Sequence, residues 1–140
     1  MSAARAAAAG AAGALVWAAV EPVDRRLFRH DYSDVAMLGK FATRSRAWPV
    51  VGLAAHVANG AAFGVAYHVL RRRHRVGALN LALLESTALF PLGALIDRRH
   101  PARGEPGVAP LFSVRGFIQA TARHAVFGAV LGALAGEERE

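Results

Sequence analysis

The sequence predicts an all-α fold, a four-helix transmembrane bundle that occupies residues 1–140 as one domain. Apolar residues make up 54% of the chain and the mean hydropathy is +0.28, although 19% of the residues are charged. Four long apolar stretches hold only two of these charges, Glu85 and Arg123; they cover residues 6–20, 49–70, 77–96 and 116–135. This segregation, with no cysteine in the chain, excludes a disordered tail, a disulfide scaffold and a soluble globular domain.

Three of the stretches predict spanning helices directly. A helix rises ~1.5 Å per residue, so about 20 apolar residues cross a hydrocarbon core of ~30 Å. Residues 49–70, 77–96 and 116–135 reach this length and lack the charged stripe of a soluble amphipathic helix. The alternation of a barrel strand is also missing, so these stretches are expected to be the second, third and fourth spans.

The first span, residues 4–20, is rich in Ala and Gly and gives a weaker signal. Arg5, the short apolar stretch and the small pair Ala18-Ala19 also fit a cleaved secretory signal. Small residues spaced four apart favour close packing against other helices, and Trp17 suits a membrane boundary. We therefore expect a retained span that ends at Glu21-Pro22.

The loops differ in character. Ser33-Asp34 is typical of a helix start, and the residues that follow predict a short amphipathic helix at the membrane interface. Its apolar members are Val35, Met37, Leu38, Phe41 and Ala42. An irregular polar loop is the alternative. Loop 97–115 holds three prolines and two glycines and is expected to be irregular.

The net charge of +7 and pI of about 11.4 suggest nucleic acid as a partner, but the arginines flank apolar stretches. That placement favours contact with lipid headgroups, so the expected partner is the bilayer and not a nucleic acid. Loops 21–48 and 97–115 together carry ten Lys/Arg against six on the opposite side, one of them Arg139. This count favours cytoplasmic loops one and three, whereas the acid-free cluster at 71–75 favours the reverse, so orientation stays open.

Ionisable residues at membrane depth are candidate functional groups because each is costly unless paired or hydrated. Counting residues from the span ends places Glu85, Arg123, His56 and His124 at ~10–12 Å depth, and Asn59 lies beside them on the second span. The simplest arrangement is an ion pair between Arg123 and Glu85 that specifies helix pairing. The alternative is a proton relay from Glu85 through the two histidines.

His56 and His124 also raise the possibility of bis-imidazole haem ligation. Adding Glu85 to them gives a metal-site alternative, but no short-spaced ligand pair supports it. The preferred expectation is that the chain has no cofactor, no metal and no catalytic residues. No nucleophile elbow, phosphate loop or cysteine motif is found in the sequence.

Glycine spacing predicts where helices approach each other. Gly60 and Gly64 on the second span and Gly128 and Gly132 on the fourth span form small-residue faces. We expect these two spans to touch, with a homodimer across the same faces as the alternative. Pro91 predicts a bend in the third span, with Ser86 or Thr87 bonding the freed carbonyl.

Short motifs resemble those of a known family. They are Trp17–Pro22, Phe63–Tyr67 and Phe90–Gly93, followed by His124. Their order resembles the YagU-type small inner-membrane proteins and the Ala- and Arg-rich four-span proteins of actinobacteria. The first loop, with Asp24-Arg25-Arg26, departs from that pattern. The resemblance implies a four-helix inner-membrane protein and supplies no catalytic residues.

These observations predict a multi-pass protein of the bacterial inner membrane that is not an enzyme. The expected role is a structural, interaction or accessory subunit, in a homo-oligomer or a larger membrane complex. The alternatives are a proton- or ion-coupled permeation unit that uses the buried Glu/Arg/His cluster, and a bis-His haem-binding redox protein.

Overall fold

A computed structural model describes residues 1–136, so Arg139 of the charge count lies outside the described residues. Within this part the chain is all-helical, and its only β feature is an isolated bridge between Tyr32 and Val108. A 3-10 turn at Phe90–Leu92 joins two of the helices. The α-helices are α1 (Ala3–Leu27), α2 (Asp34–Ala42), α3 (Trp48–His74), α4 (Ala78–Leu89), α5 (Gly93–Arg99) and α6 (Val114–Ala135).

Four segments are long and apolar enough to cross a membrane, which confirms the predicted four-span fold and indicates a multi-pass membrane protein. They are α1, α3, the continuous α4–α5 segment Ala78–Arg99, and α6. No more than a third of the apolar window of any span is buried within the chain, and only 17% for the third span. Large apolar side chains such as Leu84 and Val50 point outwards, as lipid-facing residues do.

The end predicted for the first span is wrong, because α1 continues to Leu27 with Pro22 inside it. Proline removes one helical hydrogen bond, but it does not stop a helix whose next turn is held by other contacts. Glu21 and Asp24 lie in that turn, and both are buried against the rest of the bundle. Tertiary contacts of these two side chains therefore carry the helix past the proline.

Helix α1 is the centre of the arrangement, because it packs against both α3 and α6, and α6 in turn packs against α4. The expected glycine contact between the second and fourth spans is wrong. Gly60 and Gly64 lie against Gly10 and Ala6 of α1. Gly128 lies against Leu79 and Ala78 of α4, so both faces are used within the chain.

The second and fourth spans still meet through aromatic rings. Phe63 of α3 and Phe127 of α6 are 5.2 Å apart between ring centroids, in an edge-to-face arrangement. The rings fill the space that the intervening small residues of α1 leave open, since Gly13 of α1 lies directly against the Phe127 ring. This aromatic layer closes the middle of the bundle.

Helix α2 begins where the sequence predicts. The Ser33 hydroxyl accepts a hydrogen bond from the Ala36 N–H, which caps the helix start. Gly39 of α2 lies in backbone contact with Trp48 and Gly52 at the start of α3, a distance that a side chain would prevent. The predicted amphipathic helix is therefore present, and its relation to a membrane interface stays a prediction.

The irregular loop that follows α5 folds onto α2, at the same end of the bundle. Lys40 of α2 donates to the Pro106 carbonyl at 2.8 Å, and Glu105 forms ion pairs with Lys40 and Arg44. The Ser33 N–H donates to the Gly107 carbonyl at 2.9 Å. Together residues 30–42, which include α2, and residues 100–112 form the cap over one end of the four spans.

The third span is interrupted at the predicted proline. Pro91 lies in the 3-10 turn, because its ring cannot occupy the interior of an α-helix without losing a hydrogen bond. The predicted compensation is wrong: the Thr87 hydroxyl donates to the Leu83 carbonyl at 2.9 Å, and the Ser86 hydroxyl has no partner among residues 1–136. The Ser86 hydroxyl therefore does not satisfy the carbonyl that Pro91 leaves free.

Candidate functional site

A cavity of about 260 Å³ lies inside the bundle, between the aromatic layer and the cap. Every span contributes to its wall, and α2 contributes Asp34, Met37 and Leu38. The wall carries polar residues from three spans and is otherwise mainly apolar. The polar residues of the spans that line it are His56, Asn59, Glu85, Ser86, Arg123 and His124.

Arg123 holds one corner of the cavity through a network of hydrogen bonds that is closed to solvent. Its Nε and Nη2 donate to the two carboxylate oxygens of Asp24, at 2.6 Å each. Its Nη1 donates to Asp34 Oδ2 and its Nη2 to the Tyr32 carbonyl, both at 2.9 Å. The guanidinium is 2% exposed. Four of the five guanidinium N–H donors are used in these hydrogen bonds, so the bidentate arginine mainly fixes the geometry of this corner.

The predicted ion pair between Arg123 and Glu85 is therefore wrong. Arg123 points towards α1 and the start of α2, and its carboxylate partners are Asp24, Asp34 and Glu21. Arg123 and Glu85 nevertheless line the same cavity. The depth of a residue along its helix does not determine the direction in which its side chain leaves the helix, and this direction decides the partner.

The same network joins the start of α2 to α1 through two more contacts. Glu21 accepts from the Asp34 N–H at 2.8 Å and from the Ser33 hydroxyl, so it bonds the first turn of α2. Trp17 Nε1 donates to Asp34 Oδ2 at 3.0 Å. A carboxylate that accepts several hydrogen bonds is well suited to burial, so this group seals the cap onto the bundle.

Glu85 pairs instead with His124, the residue that follows Arg123 on α6. His124 Nε2 lies 2.9 Å from Glu85 Oε2, and its Nδ1 lies 2.7 Å from the Ala120 carbonyl. A proton on each ring nitrogen satisfies both acceptors, so the geometry suits an imidazolium–carboxylate pair. The Glu85 side chain is one-third exposed and faces the cavity, which leaves it accessible to a ligand.

Two buried polar atoms on the cavity wall have no hydrogen-bond partner among the described residues. They are His56 Nε2 on α3 and Ser86 Oγ on α4. The two residues are only 6% and 5% exposed, so bulk solvent does not satisfy them. Because an unpaired buried polar group costs about 1–3 kcal/mol, a bound molecule that pairs with both atoms would be stabilised.

The cavity has a side opening. Helix α3 makes hardly any contact with α4 and α5 in the described chain, and lining residues on both sides of this gap are exposed. Asn59 lies on the α3 side, and Leu89 and Leu92 lie on the other, about half exposed. If the spans cross a membrane, this opening faces the hydrocarbon region.

The ionisable residues at the cap are tuned by burial and hydrogen bonds. Burial, with the nearby Arg123 guanidinium, lowers the pKa of His30, and burial raises the pKa of Tyr32 far above its ordinary value. The Gly107 N–H that donates to Asp31 lowers the pKa of that carboxyl. The hydrogen bond from Arg44 lowers the pKa of Glu105. At neutral pH the cap therefore holds a neutral His30 and ionised carboxylates.

The structure brings all five predicted polar residues, His56, Asn59, Glu85, Arg123 and His124, to one cavity. The sequence-based prediction of the site does not include Glu21, Asp24 and Asp34, because the predicted end of the first span places the first two in the loop. A signal was present: Trp17, Glu21 and Asp24 follow the i, i+4, i+7 spacing of a single helical face. For Ser86 the sequence predicts a partner for the kink at Pro91 and gives no support for a serine nucleophile, so it does not place Ser86 in this site.

The geometry disfavours the haem and metal alternatives. The two nitrogens of His124 are engaged by Glu85 and Ala120, so an iron ligand would have to break one contact. The Trp17 indole also contacts both imidazoles, at 5.3 and 4.6 Å between ring centroids. Within residues 1–136, no group of three His, Cys, Asp or Glu side chains is arranged to hold a metal ion.

No family model, curated protein or solved structure matches the chain. The resemblance to the YagU-type proteins accordingly stays a prediction. Function is inferred below from the geometry of the cavity.

Proposed function

We propose that this chain is an accessory protein of the bacterial inner membrane that acts by holding a small molecule in the cavity between its spans, without catalysis of its own. The observation that carries the proposal is the presence of two unpaired, buried polar atoms, His56 Nε2 and Ser86 Oγ, on the wall of one cavity. A protein interior normally satisfies such atoms, and a ligand is the simplest means of doing so.

The cavity volume supports a binding role. Ligand sites are clefts of about 300–1,000 Å³ with a mainly apolar lining and a few placed polar groups, and this cavity of about 260 Å³ lies just below that range and suits a small ligand or one that extends through an opening. The Arg123 network supports the binding role further. It fixes the cap over the cavity, and its polar groups are hydrogen-bonded mainly to one another. The polar groups that remain available converge on the cavity.

The proposal is tested by filling the cavity. Ala120 lines it, so Ala120→Leu places extra carbons inside. Ala129 is exposed on the same helix and does not line the cavity, so Ala129→Leu is the matched control. Native mass spectrometry in mild detergent should show a bound small molecule with the wild type and with Ala129→Leu, and its loss from Ala120→Leu. Equal retention by both variants, or none by the wild type, would contradict the proposal.

The second candidate is a proton- or ion-coupled permeation unit. It is favoured by one observation, the Glu85–His124 pair that faces the cavity with a separation of 2.9 Å. In liposomes, Glu85→Gln should abolish a flux driven by a pH gradient while the fold survives. Glu105→Gln, which changes a carboxylate on the cap, is the control. A flux that is the same in both variants removes this candidate.

A further inference from the structure

The His56 ring presents a hydrogen-bond acceptor to the cavity. The ring nitrogen of His56 other than Nε2 interacts with the backbone of Ala14, inside helix α1. The Ala14 N–H donates its one hydrogen within the helix, whereas the Ala14 carbonyl oxygen has a second lone pair and can accept another hydrogen bond. His56 is therefore the donor in this contact. The neutral ring then presents a lone pair at Nε2. A group that pairs with it must donate a hydrogen bond.

Ser86 lines the cavity from α4, and comparison with Thr87 shows that its free hydroxyl is unusual. Thr87 satisfies its own hydroxyl by donating to the Leu83 carbonyl at 2.9 Å and is exposed on the outer surface. Ser86 is buried at the cavity wall without this contact. A hydroxyl both donates and accepts, so Ser86 suits a partner with an O–H or N–H group.

The charge around the cavity disfavours anions. Three carboxylates, from Glu21, Asp24 and Asp34, surround the single guanidinium of Arg123. Glu85 and His124 form a separate pair that is balanced when the imidazole is protonated. No unbalanced positive charge therefore faces the cavity, and an anion brought into this low-dielectric site would lose hydration without compensation.

The remaining wall is apolar and leads to the side opening. Leu89, Phe90, Leu92 and Ile96 of the third span continue from Ser86 towards the gap with α3. An extended hydrocarbon group fits this path, because it removes apolar surface from water and reaches the outer surface of the bundle. One part of the site therefore favours a hydrogen-bond donor, and an apolar path leads from it to the side opening.

From these observations we infer that the cavity binds an amphiphile whose head is an uncharged alcohol or a primary amine, with its apolar body directed through the gap between α3 and the α4–α5 span. The head lies between His56 and Ser86, and the amine form also pairs with Glu85. The site rejects the matching carboxylate. This inference rests on the proposed binding function and names the class of ligand.

A tryptophan in the cavity wall, Trp17, allows binding to be followed by fluorescence. Trp17 lines the cavity, and the second tryptophan, Trp48, lies at the start of α3, so Trp48→Phe leaves one signal. The probes are an alkyl alcohol, an amine, a carboxylate and an alkane without a head group, all of equal chain length. Each carries bromine at the same carbon, in the half of the chain nearer the head group or, in the alkane, at the corresponding carbon. Bromine quenches indole fluorescence on contact. The alcohol and amine should quench Trp17 in a saturable way, and the carboxylate should not.

Adjacent hydroxyls give the matched variants. Ser86→Ala removes the proposed partner and should weaken alcohol binding about fivefold, the effect of one hydrogen bond. Thr87→Ala removes the satisfied, outward hydroxyl and should leave binding unchanged. An alcohol that carries bromine on its terminal carbon should quench Trp17 less than one brominated near the head, if the apolar body points outwards.

The outcomes separate this inference from the function on which it rests. If none of the four probes quenches Trp17, the cavity binds no amphiphile, and a wild type that also yields no bound molecule in native mass spectrometry overturns the binding function too. If the carboxylate or the alkane binds as tightly as the alcohol, the binding function stands and the head-group preference is wrong. An equal loss in Ser86→Ala and Thr87→Ala, or stronger quenching by the terminal bromine, overturns the proposed orientation.

Discussion

Arg123 and Asp24 form a bidentate ion pair inside the bundle, with Nε and Nη2 of the guanidinium each 2.6 Å from a carboxylate oxygen. The residues are 99 positions apart in the chain, on helices α6 and α1. Gln119, one turn before Arg123, also donates to Asp24 at 2.9 Å. This pair ties the fourth span to the first beyond Pro22 and positions one wall of the cavity.

Removal of the guanidinium is predicted to be costly. Arg123→Gln leaves Asp24, Asp34 and Glu21 buried without their cation, and breaking a buried pair typically costs about 3–5 kcal/mol. Arg123→Lys should restore little, since an ammonium cannot make the bidentate contact. The measurement is the free energy of unfolding in mixed micelles with a denaturing detergent.

A double-mutant cycle distinguishes the observed partner from the one that the sequence suggested. Arg123→Gln combined with Asp24→Asn should show strong coupling, because each variant removes the same contact. The cycle with Glu85→Gln should show much weaker coupling. Coupling to Glu85 as large as that to Asp24 would contradict the arrangement.

The contact between α1 and α3 predicts a steric effect. A Cβ at Gly10 would lie 2.1 Å from the Gly60 carbonyl oxygen, so Gly10→Ala forces two helix backbones apart. We expect a loss of about 1–3 kcal/mol in the free energy of unfolding, as for an overpacked core. Ala8 is exposed on the same helix, and Ala8→Val should be nearly neutral. Equal effects of the two variants would rule out this close approach.

The cap depends on a buried lysine. Lys40 donates to the Pro106 carbonyl at 2.8 Å and its side chain is 10% exposed. Lys40→Met removes this donor and leaves a carbonyl unpaired, which should cost about 1–3 kcal/mol. Arg46 is exposed, and Arg46→Met should stay within about 0.5 kcal/mol of the wild type. Limited proteolysis of loop 97–115 should accelerate only in Lys40→Met.

His30 predicts a pH dependence of stability. Its pKa is lowered from the ordinary value of 6.5, by burial and then by Arg123, so the unfolded chain binds a proton before the folded chain does. The stability that neutral His30 contributes is complete above pH 6.5 and is lost as the pH falls from 6.5 through the lowered pKa of the folded state. Unfolding measured across this range should depend less on pH in His30→Gln.

His74 is exposed at the other end of the bundle and provides the control for this titration. His74→Gln should keep the pH profile of the wild type. A His30→Gln variant with an unchanged profile would show that the buried imidazole does not titrate in the way its surroundings predict.

Much of the fold could be predicted, because its signals are local. The length and hydropathy of each apolar stretch located the four spans, Ser33 marked the start of α2, and Pro91 marked the interruption of the third span. Each of these features depends on neighbouring residues in one segment. The end of α1 was mispredicted for the complementary reason, since Asp24 stabilises its last turns through a residue of α6.

The sequence predicted five polar residues of the candidate site, but not Ser86, the carboxylates of Glu21, Asp24 and Asp34, or the pairing of the side chains. Counting residues along helices gives depth, and it placed His56, Glu85 and His124 at one level. The rotation of each helix about its own axis and the order of helices in the bundle were unknown. These two quantities assign Glu85 to His124, assign Arg123 to Asp24, and leave Ser86 facing the cavity.

By itself the sequence determined that this chain forms four long apolar helices, and it indicated a short helix between the first two with an irregular loop as the alternative, because hydrophobicity, capping and proline act over a few neighbouring residues. Only the tertiary structure decided that the glycine faces of the second and fourth spans pack against α1 and α4, that the cap closes over the spans, and that a polar cavity remains. Side-chain pairing depends on how rigid helices turn towards one another, and backbone contacts at Gly10, Gly52 and Gly60 between distant segments set that geometry.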